Sequence, residues 1–396
     1  MTEQRSVANI MWPERVSMPK VSLKTDETFS KLVMFFKRFV YFDDPIFYSL
    51  SAIFVIFTFL FDIFDETPYL QIRGPKGTGK TQLGDMFWLL CFNAFISNEI
   101  SDAAVFRTIA QSYSRGGLTL IVDEADDVAG PTRRGILLRT LKSGYRRNGN
   151  VTRCGPCGTI ERFPTFGPKI VINEKGIHDS ALESRTIPIH MTKPACPLEK
   201  FQFEKVKNGA KEIRELVRSF SEDYRDLIFD RYFSFKGVEG ISNRDEEVWI
   251  PIIIIADLLA VLLDSPSIKA DMVKLAKKII LQRKKTELIG NRDLQILAGT
   301  QAFIEETSPL KIDGLPFYIG EDLCKSIKDG WSLPNLKLET VSHVLNQFNI
   351  IKGLRRPHLK KKIEDSEIQV QRVCYLFDEQ RLAELTNEYF EEGEDI

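Results

Sequence analysis

The chain is short of net charge, of clustered cysteine and of any apolar run long enough to cross a bilayer. Lysine and arginine number 54 against 55 acidic residues, leaving a formal net charge of −1. No global field draws such a chain to a polyanion, so any contact with nucleic acid must come from local patches. The six cysteines, Cys91, Cys154, Cys157, Cys196, Cys324 and Cys374, are scattered, and only Cys154-Gly155-Pro156-Cys157 is a close pair. With no second pair to complete a four-ligand zinc site, they read as reduced thiols, metal or redox chemistry at the pair being the alternative. Residues 46–61 carry no charge, but a spanning helix needs about twenty residues. The run is flanked by Asp43, Asp44, Asp62 and Asp65 without a basic anchor. Asp44 as cap and Pro45 at the first helical position make it a buried core helix. The start, Met-Thr-Glu-Gln-Arg, is polar and lacks the apolar stretch of a secretory signal. A cytoplasmic protein without a membrane partner is expected.

What is present begins with Gly74-Pro75-Lys76-Gly77-Thr78-Gly79-Lys80-Thr81, which fits G-x-x-x-x-G-K-[ST]. The apolar segment Tyr69-Leu70-Gln71-Ile72 before it reads as a buried strand. After it, Leu83, Met86, Phe87 and Leu90 are spaced as on a helix. Strand, glycine loop and helix in that order form a phosphate cradle, with backbone N–H groups and a positive helix end turned on the anion. Lys80 then reaches the β- and γ-phosphates, and the Thr81 hydroxyl ligates Mg²⁺. ATP with Mg²⁺ is the implied ligand.

A second apolar segment, Leu118-Thr119-Leu120-Ile121-Val122, ends in Asp123-Glu124-Ala125-Asp126. This is the form of a Walker B strand. Asp123 would hold Mg²⁺ through its water shell, and Glu124 would orient, or take a proton from, the water attacking the γ-phosphate. A third strand, Pro168-Lys169-Ile170-Val171-Ile172-Asn173, is followed a dozen residues on by Arg185. Asn173 can place the attacking water, and Arg185 can stabilise charge on the γ-phosphate of an adjacent subunit. The plainer alternatives are a turn former and a surface ion pair. Helices are expected over 26–40, from Ser101-Asp102 to about Gln111, and over 131–147. The last carries Arg133, Arg134, Arg139, Lys142, Arg146 and Arg147, either a solvated face or a surface for nucleic acid or a neighbouring subunit. Residues 151–163 suggest a hairpin around Gly155-Pro156-Cys157-Gly158.

Together, residues 74–81, 118–126 and 169–173 with Ser184-Arg185 resemble the Walker A, Walker B, sensor-1 and arginine-finger elements of AAA+ ATPases. More narrowly, Gly144-Tyr145, the hairpin through Arg153, the run Phe163-Pro164-Thr165-Phe166-Gly167-Pro168-Lys169 and Ser184-Arg185-Thr186-Ile187 are similar to ATPases of plasmids, phages and integrated elements. Those are read as replicative helicases, often with an upstream primase. The resemblance runs from about residue 40 to the end. It implies a homo-hexameric ring, ATP at subunit interfaces, single-stranded DNA in the pore and a separate primase as partner. It also implies strand contacts by the hairpin, through Arg153 and Arg162, unless the hairpin is purely structural. Asn243-Arg244-Asp245-Glu246-Glu247 resembles the sensor-2 position, where Arg244 would touch the γ-phosphate; a helix-start salt bridge is the alternative.

Beyond residue 193 helices dominate, over 198–225, 245–263 and 291–306, suggesting a lid. From 310 the pattern changes to short helices over 321–328, 339–347 and 378–389, with a strand over 369–377 behind a basic turn. A winged helix is the fold this suggests, and the family resemblance implies the same ending. Arg355, Arg356, Lys360, Lys361 and Lys362 would meet phosphates, or serve as a solubilising loop or a protein-binding surface. The acidic tail Glu391-Glu392-Gly393-Glu394-Asp395 reads as disordered. The expected fold is α/β: an AAA+ P-loop domain with a parallel sheet (67–193) after an arm and helices (1–66), then a helical lid (194–309) and a winged helix (310–396). Expected activity is that of an ATP-driven helicase or translocase in replication of a mobile element. The alternative is a loader or switch that binds origin DNA or proteins without processive unwinding.

Overall fold

The computed structural model describes residues 23–97, 102–123, 136–155, 159–174, 176–177, 179–363 and 366–390. It is a mixed α/β structure with a parallel central sheet and many helices, dividing into a unit up to Ile279 and a second from Ile280.

The first unit opens with α1 (Leu23–Phe39) and α2 (Ile46–Thr58). Leu50, Ile53, Phe54, Ile56 and Phe57 of α2 are fully buried. That explains the uncharged run as core, and no helix among the described residues is long and apolar enough to cross a membrane. The alternating part follows: β1 (Tyr69–Arg73), α3 (Lys80–Leu90), β2 (Phe95–Ser97), α4 (Asp102–Ser112), β3 (Leu120–Val122), α5 (Ile136–Ser143), the hairpin β4 (Asn150–Cys154) and β5 (Ile160–Pro164), β6 (Lys169–Asn173), α6 (Ser180–Glu183) and β7 (Thr186–His190). The sheet runs β2-β3-β6-β1-β7, every neighbouring pair parallel. Its strands are apolar along their length because both faces are covered. The unit continues with α7 (Phe203–Ser234) and α8 (Asn243–Leu262), and α9 (Ser267–Gly290) crosses the division.

The 131–147 helix is shorter than its sequence suggests. Residues 131–135, with Arg133 and Arg134, lie outside the described residues, and α5 stops at Ser143. Arg146 and Arg147 fall in the turn beyond it. Arg147 donates to the carbonyls of Asp62 (2.6 Å) and Phe64 (2.8 Å) and pairs with Asp65. Arg146 pairs with Glu247 at 3.2 Å. These two are internal ties, not part of a helix face presented to a polyanion.

The second unit holds α10 (Arg292–Glu306), β8 (Leu310–Ile312), β9 (Leu315–Ile319), α11 (Gly320–Gly330), α12 (Leu338–Gln347), β10 (Ile351–Arg355), β11 (His358–Ile363), β12 (Ser366–Gln371), β13 (Cys374–Phe377) and α13 (Glu379–Phe390). Its antiparallel sheet is ordered β10-β13-β9-β8, and β11–β12 form a separate ribbon. Leu297 and Phe303 of α10 are buried in one cluster with Tyr318, Leu323, Val341 and Phe377. The change of pattern at 310 therefore marks the first strand of this unit, whose core already includes the preceding helix. The expected 369–377 strand is broken at Arg372, whose N–H donates to Pro357 O at 3.0 Å while its guanidinium faces Glu321 and Asp322. The tail from 391 lies outside the described residues.

Candidate phosphate-binding site

Parallel pairing sets three chain ends side by side. Arg73, the last residue of β1, is in register with Asn173, the last of β6, and Val171 pairs with Val122 of β3. The loop after β1, the Asn173 amide and Asp123 are thus neighbours at the carboxyl edge, where open α/β sheets bind ligands. They line a cavity of about 360 Å³ together with Lys80, Thr81 and Glu174.

The loop is shaped by its glycines at two points. A Cβ on Gly74 would lie 2.3 Å from Met191 O, so only glycine lets the chain pass the end of β7. Gly79 has φ +90° and caps α3, a conformation that costs other residues free energy. Thr78 closes the turn with a 2.9 Å bond to Pro75 O. Lys80 Nζ donates to Gly74 O (2.6 Å) and Pro75 O (2.9 Å), which places the ammonium inside the loop. Thr81 is exposed at the start of α3.

The cavity wall is acidic and polar. Asp123 is 4% exposed, its N–H donating to Ser97 O at 3.0 Å. Asp85, four residues after Thr81 on α3, faces the same way by helix periodicity. Its carboxyl is held above the ordinary range by burial and then by the negative charge of Asp123. The Thr81 hydroxyl and the Asp123 carboxylate line the same cavity and are oxygen donors of the kind a hard divalent cation takes, so they fit Mg²⁺. Asn173 is 2% exposed, and among the described residues neither its Nδ2 nor its Oδ1 has a hydrogen-bond partner. Leaving a buried amide unpaired costs on the order of 1–3 kcal/mol, which makes it a candidate for groups brought in by a ligand. Glu124 lies outside the described residues.

Arg185 and Arg244 are elsewhere. Arg185 precedes β7, and β7 pairs with β1 from Tyr69↔Thr186 to Arg73↔His190. Arg185 is therefore at the amino edge, about 13 Å of strand from the loop. Its Nη1 donates to Lys142 O at 2.8 Å, and its guanidinium lies over the Tyr145 ring at 5.4 Å. Arg244, expected at a γ-phosphate, donates to Ser184 Oγ at 3.1 Å. The reason is topological: α8 starts against the amino edge of β7, not over the phosphate loop.

The hairpin divides its arginines by face. Val151, Arg153, Glu161 and Phe163 share one face by register. Phe163 packs on Phe106 of α4, and the Arg153 guanidinium lies over the same ring at 5.4 Å with Nε and Nη2 buried. Thr152, Cys154, Ile160 and Arg162 occupy the other face and are exposed. In the second unit Arg355 and Arg356 are exposed around the end of β10, Arg355 being 3.9 Å from Asp313, and Lys360 and Lys361 lie on β11.

Sequence reasoning passed over Asp85 and Glu174. The first was legible in its spacing from Thr81, the second in its place directly after Asn173. A second cavity of about 350 Å³ is lined by Asp62, Arg147, Arg225, Asp226 and Phe229, and within its lining Arg225 pairs with Asp62 and Arg147 with Asp65.

No family model and no curated protein matches the chain. Among solved structures it is similar to a helicase, "SCCmec type IV Cch", at 13% identity and TM-score 0.41, covering 91% of this chain and 71% of that one. The NrS-1 C-terminal region is similar at 13% identity and TM-score 0.41, covering 91% and 76%. A JCV helicase is similar at 16% identity and TM-score 0.29, covering 63% and 65%. What this chain does is argued from its own residues.

Proposed function

We propose that the chain is an ATP-hydrolysing motor of the AAA+ class, acting on DNA as a helicase or translocase in the replication of a mobile genetic element. The observation that carries the nucleotide reading is the buried, unpartnered Asn173 amide, placed between the glycine loop and Asp123 in one cavity. In this reading the loop from Gly74 to Thr81, with Pro75, Lys76, Gly77 and Thr78, wraps the phosphates, and Lys80 meets the β- and γ-oxygens. Thr81 and Asp123 would hold Mg²⁺, which would supply positive charge against those oxygens. Asn173 orients the attacking water and Glu124 receives its proton.

Arg185, on the wrong edge to serve its own loop, fits a ring of six copies in which each nucleotide is completed by the next subunit. Helices α7 and α8 act as the lid. The second unit is a winged helix with β11–β12 as its wing, Lys360 and Lys361 meeting phosphates together with Arg355 and Arg356. The open hairpin face meets single-stranded DNA in the pore, and priming is supplied by a separate protein.

The test is ATP hydrolysis with and without single-stranded DNA, beside a Glu124→Gln control. Stimulation by DNA that vanishes in the control, with strand displacement on a fork, supports the motor. Hydrolysis indifferent to DNA overturns it in favour of a loader or switch.

A further inference from the structure

Arg185 and Arg244 come from separate elements, the first from the turn before β7 and the second from the first turn of α8. They meet at Ser184, whose hydroxyl accepts from Arg244 Nη1 at 3.1 Å. Two other cations at this edge have carboxylate partners: Lys142 pairs with Asp179 at 2.6 Å and Arg146 with Glu247 at 3.2 Å. Among the described residues neither Arg185 nor Arg244 has a carboxylate within ion-pair distance, the nearby Asp179 being held by Lys142 while it feels the charge of Arg185, and Arg185 Nε is buried with no acceptor. Burial and then the charge of Arg244 hold the Arg185 guanidinium below its ordinary range, which is the electrostatic trace of two cations set close together.

A like charge close by disfavours the charged form of each guanidinium. An anion with several oxygens would relieve the repulsion and use the planar donor forks, and phosphate has that geometry. It is not the phosphate of the same subunit, because the pairing of β7 with β1 puts the loop at the opposite end of the strands. We propose that Arg244 acts together with Arg185 on the nucleotide phosphates of an adjacent copy of this chain. Arg185 is held by Lys142 O and the face of Tyr145, and Arg244 widens that single contact into a two-pronged clamp. The inference rests on the shared-site ring proposed above.

Mixing variants tests it. Lys80→Ala removes a subunit's own site but keeps its arginines, and Arg244→Ala does the reverse. Each alone should hydrolyse ATP at least tenfold more slowly than wild type. Mixed, they should regain activity above both parents, because intact loops then face intact arginine pairs. Binding of a fluorescent ATP analogue to dilute, unassembled Arg244→Ala subunits should match wild type. Ser184→Ala, which removes the hydrogen bond but neither guanidinium, should keep most of the activity.

An Arg185→Ala plus Lys80→Ala mixture separates the two ideas. If that pair recovers and the Arg244→Ala pair does not, Arg244 serves its own subunit and this inference fails alone. If neither recovers, the shared-site reading fails and takes the inference with it. If Ser184→Ala is as damaged as Arg244→Ala, Arg244 only positions its neighbour and the clamp is wrong. A loss of single-stranded DNA affinity in Arg244→Ala, with hydrolysis intact, would reassign the pair to the DNA backbone.

Discussion

Arg73 and Asn173 are register partners at the carboxyl ends of β1 and β6, so a buried amide without a hydrogen-bond partner among the described residues stands directly beside the phosphate loop. The pairing joins a local sequence signal to a residue 100 positions away. It also separates what Asn173 does for the fold from what it does for a ligand.

Asn173→Ala should therefore lower kcat about 100-fold, the range seen when a positioned polar group is lost from a reacting centre. Stability should hold or rise slightly, since the native amide makes no internal hydrogen bond to lose. Steady-state hydrolysis and thermal denaturation of the same preparation check both halves. A marked fall in melting temperature with activity preserved would make Asn173 structural.

The two hairpin arginines should behave differently. Arg162→Ala, on the exposed face, should weaken single-stranded DNA binding and reduce its salt dependence by about one phosphate contact. Arg153→Ala should instead lower stability by loosening the packing on Phe106, with a smaller effect on DNA. Fluorescence anisotropy over a salt series, beside denaturation curves, distinguishes them. The reverse pattern would mean the hairpin engages DNA through its other face.

Arg231 and Asp257 form an ion pair between α7 and α8 at 2.9 Å, both side chains under a tenth exposed, with Lys269 of α9 at 2.8 Å from the same carboxylate. Asp257→Ala should cost about 3–5 kcal/mol, because it takes the paired carboxylate away from a buried guanidinium. Replacing Arg231 as well, by Met, should recover much of that loss. Urea denaturation of the single and double variants measures the difference, and a double variant no better than the single would place the cost in packing.

Lys169 is buried in the first unit with Nζ donating to Gly167 O (2.8 Å), Thr165 O (2.9 Å) and Gly144 O (3.3 Å), over the Tyr69 ring at 4.8 Å. Burial lowers its pKa to about 7. Since the unfolded lysine titrates near 10.4, the unfolded chain binds more protons between those values, and stability rises with pH across that window. Below about 7 the penalty for burying the charge is present in full. Relative to Lys169→Met, wild type should gain stability from pH 7 to 10 with a slope of up to about 1.4 kcal/mol per pH unit. Denaturation curves of both proteins at several pH values test this, and parallel profiles would refute it.

Local pattern carried the phosphate loop, the strand ahead of Asp123, β6 to within one residue and the hairpin, because each is a short-range conformation that few residue types permit. The glycines of the loop and the uncharged strands need no distant partner to declare themselves. The same holds for the buried 46–61 segment, whose length and flanking aspartates argued core over membrane. Helix α9 was missed although Met272, Leu275, Ala276 and Ile279 have helical spacing, and the three-residue β2 is too short for its pattern to stand out.

Tertiary structure alone decided which residues meet. Nothing in a linear chain says that β6 inserts between β1 and β3, yet that order is what brings Asn173 to the cavity. In sequence Arg244 could be read only as a sensor-2-like arginine or as one arm of a helix-start salt bridge. Its place beside Arg185 depends on where α8 begins against the sheet, and Arg153 was turned inward by a pairing register that also left Arg162 outside. Backbone conformation is set by neighbours along the chain, but the side of a strand or the end of a sheet is set by packing between segments far apart in sequence.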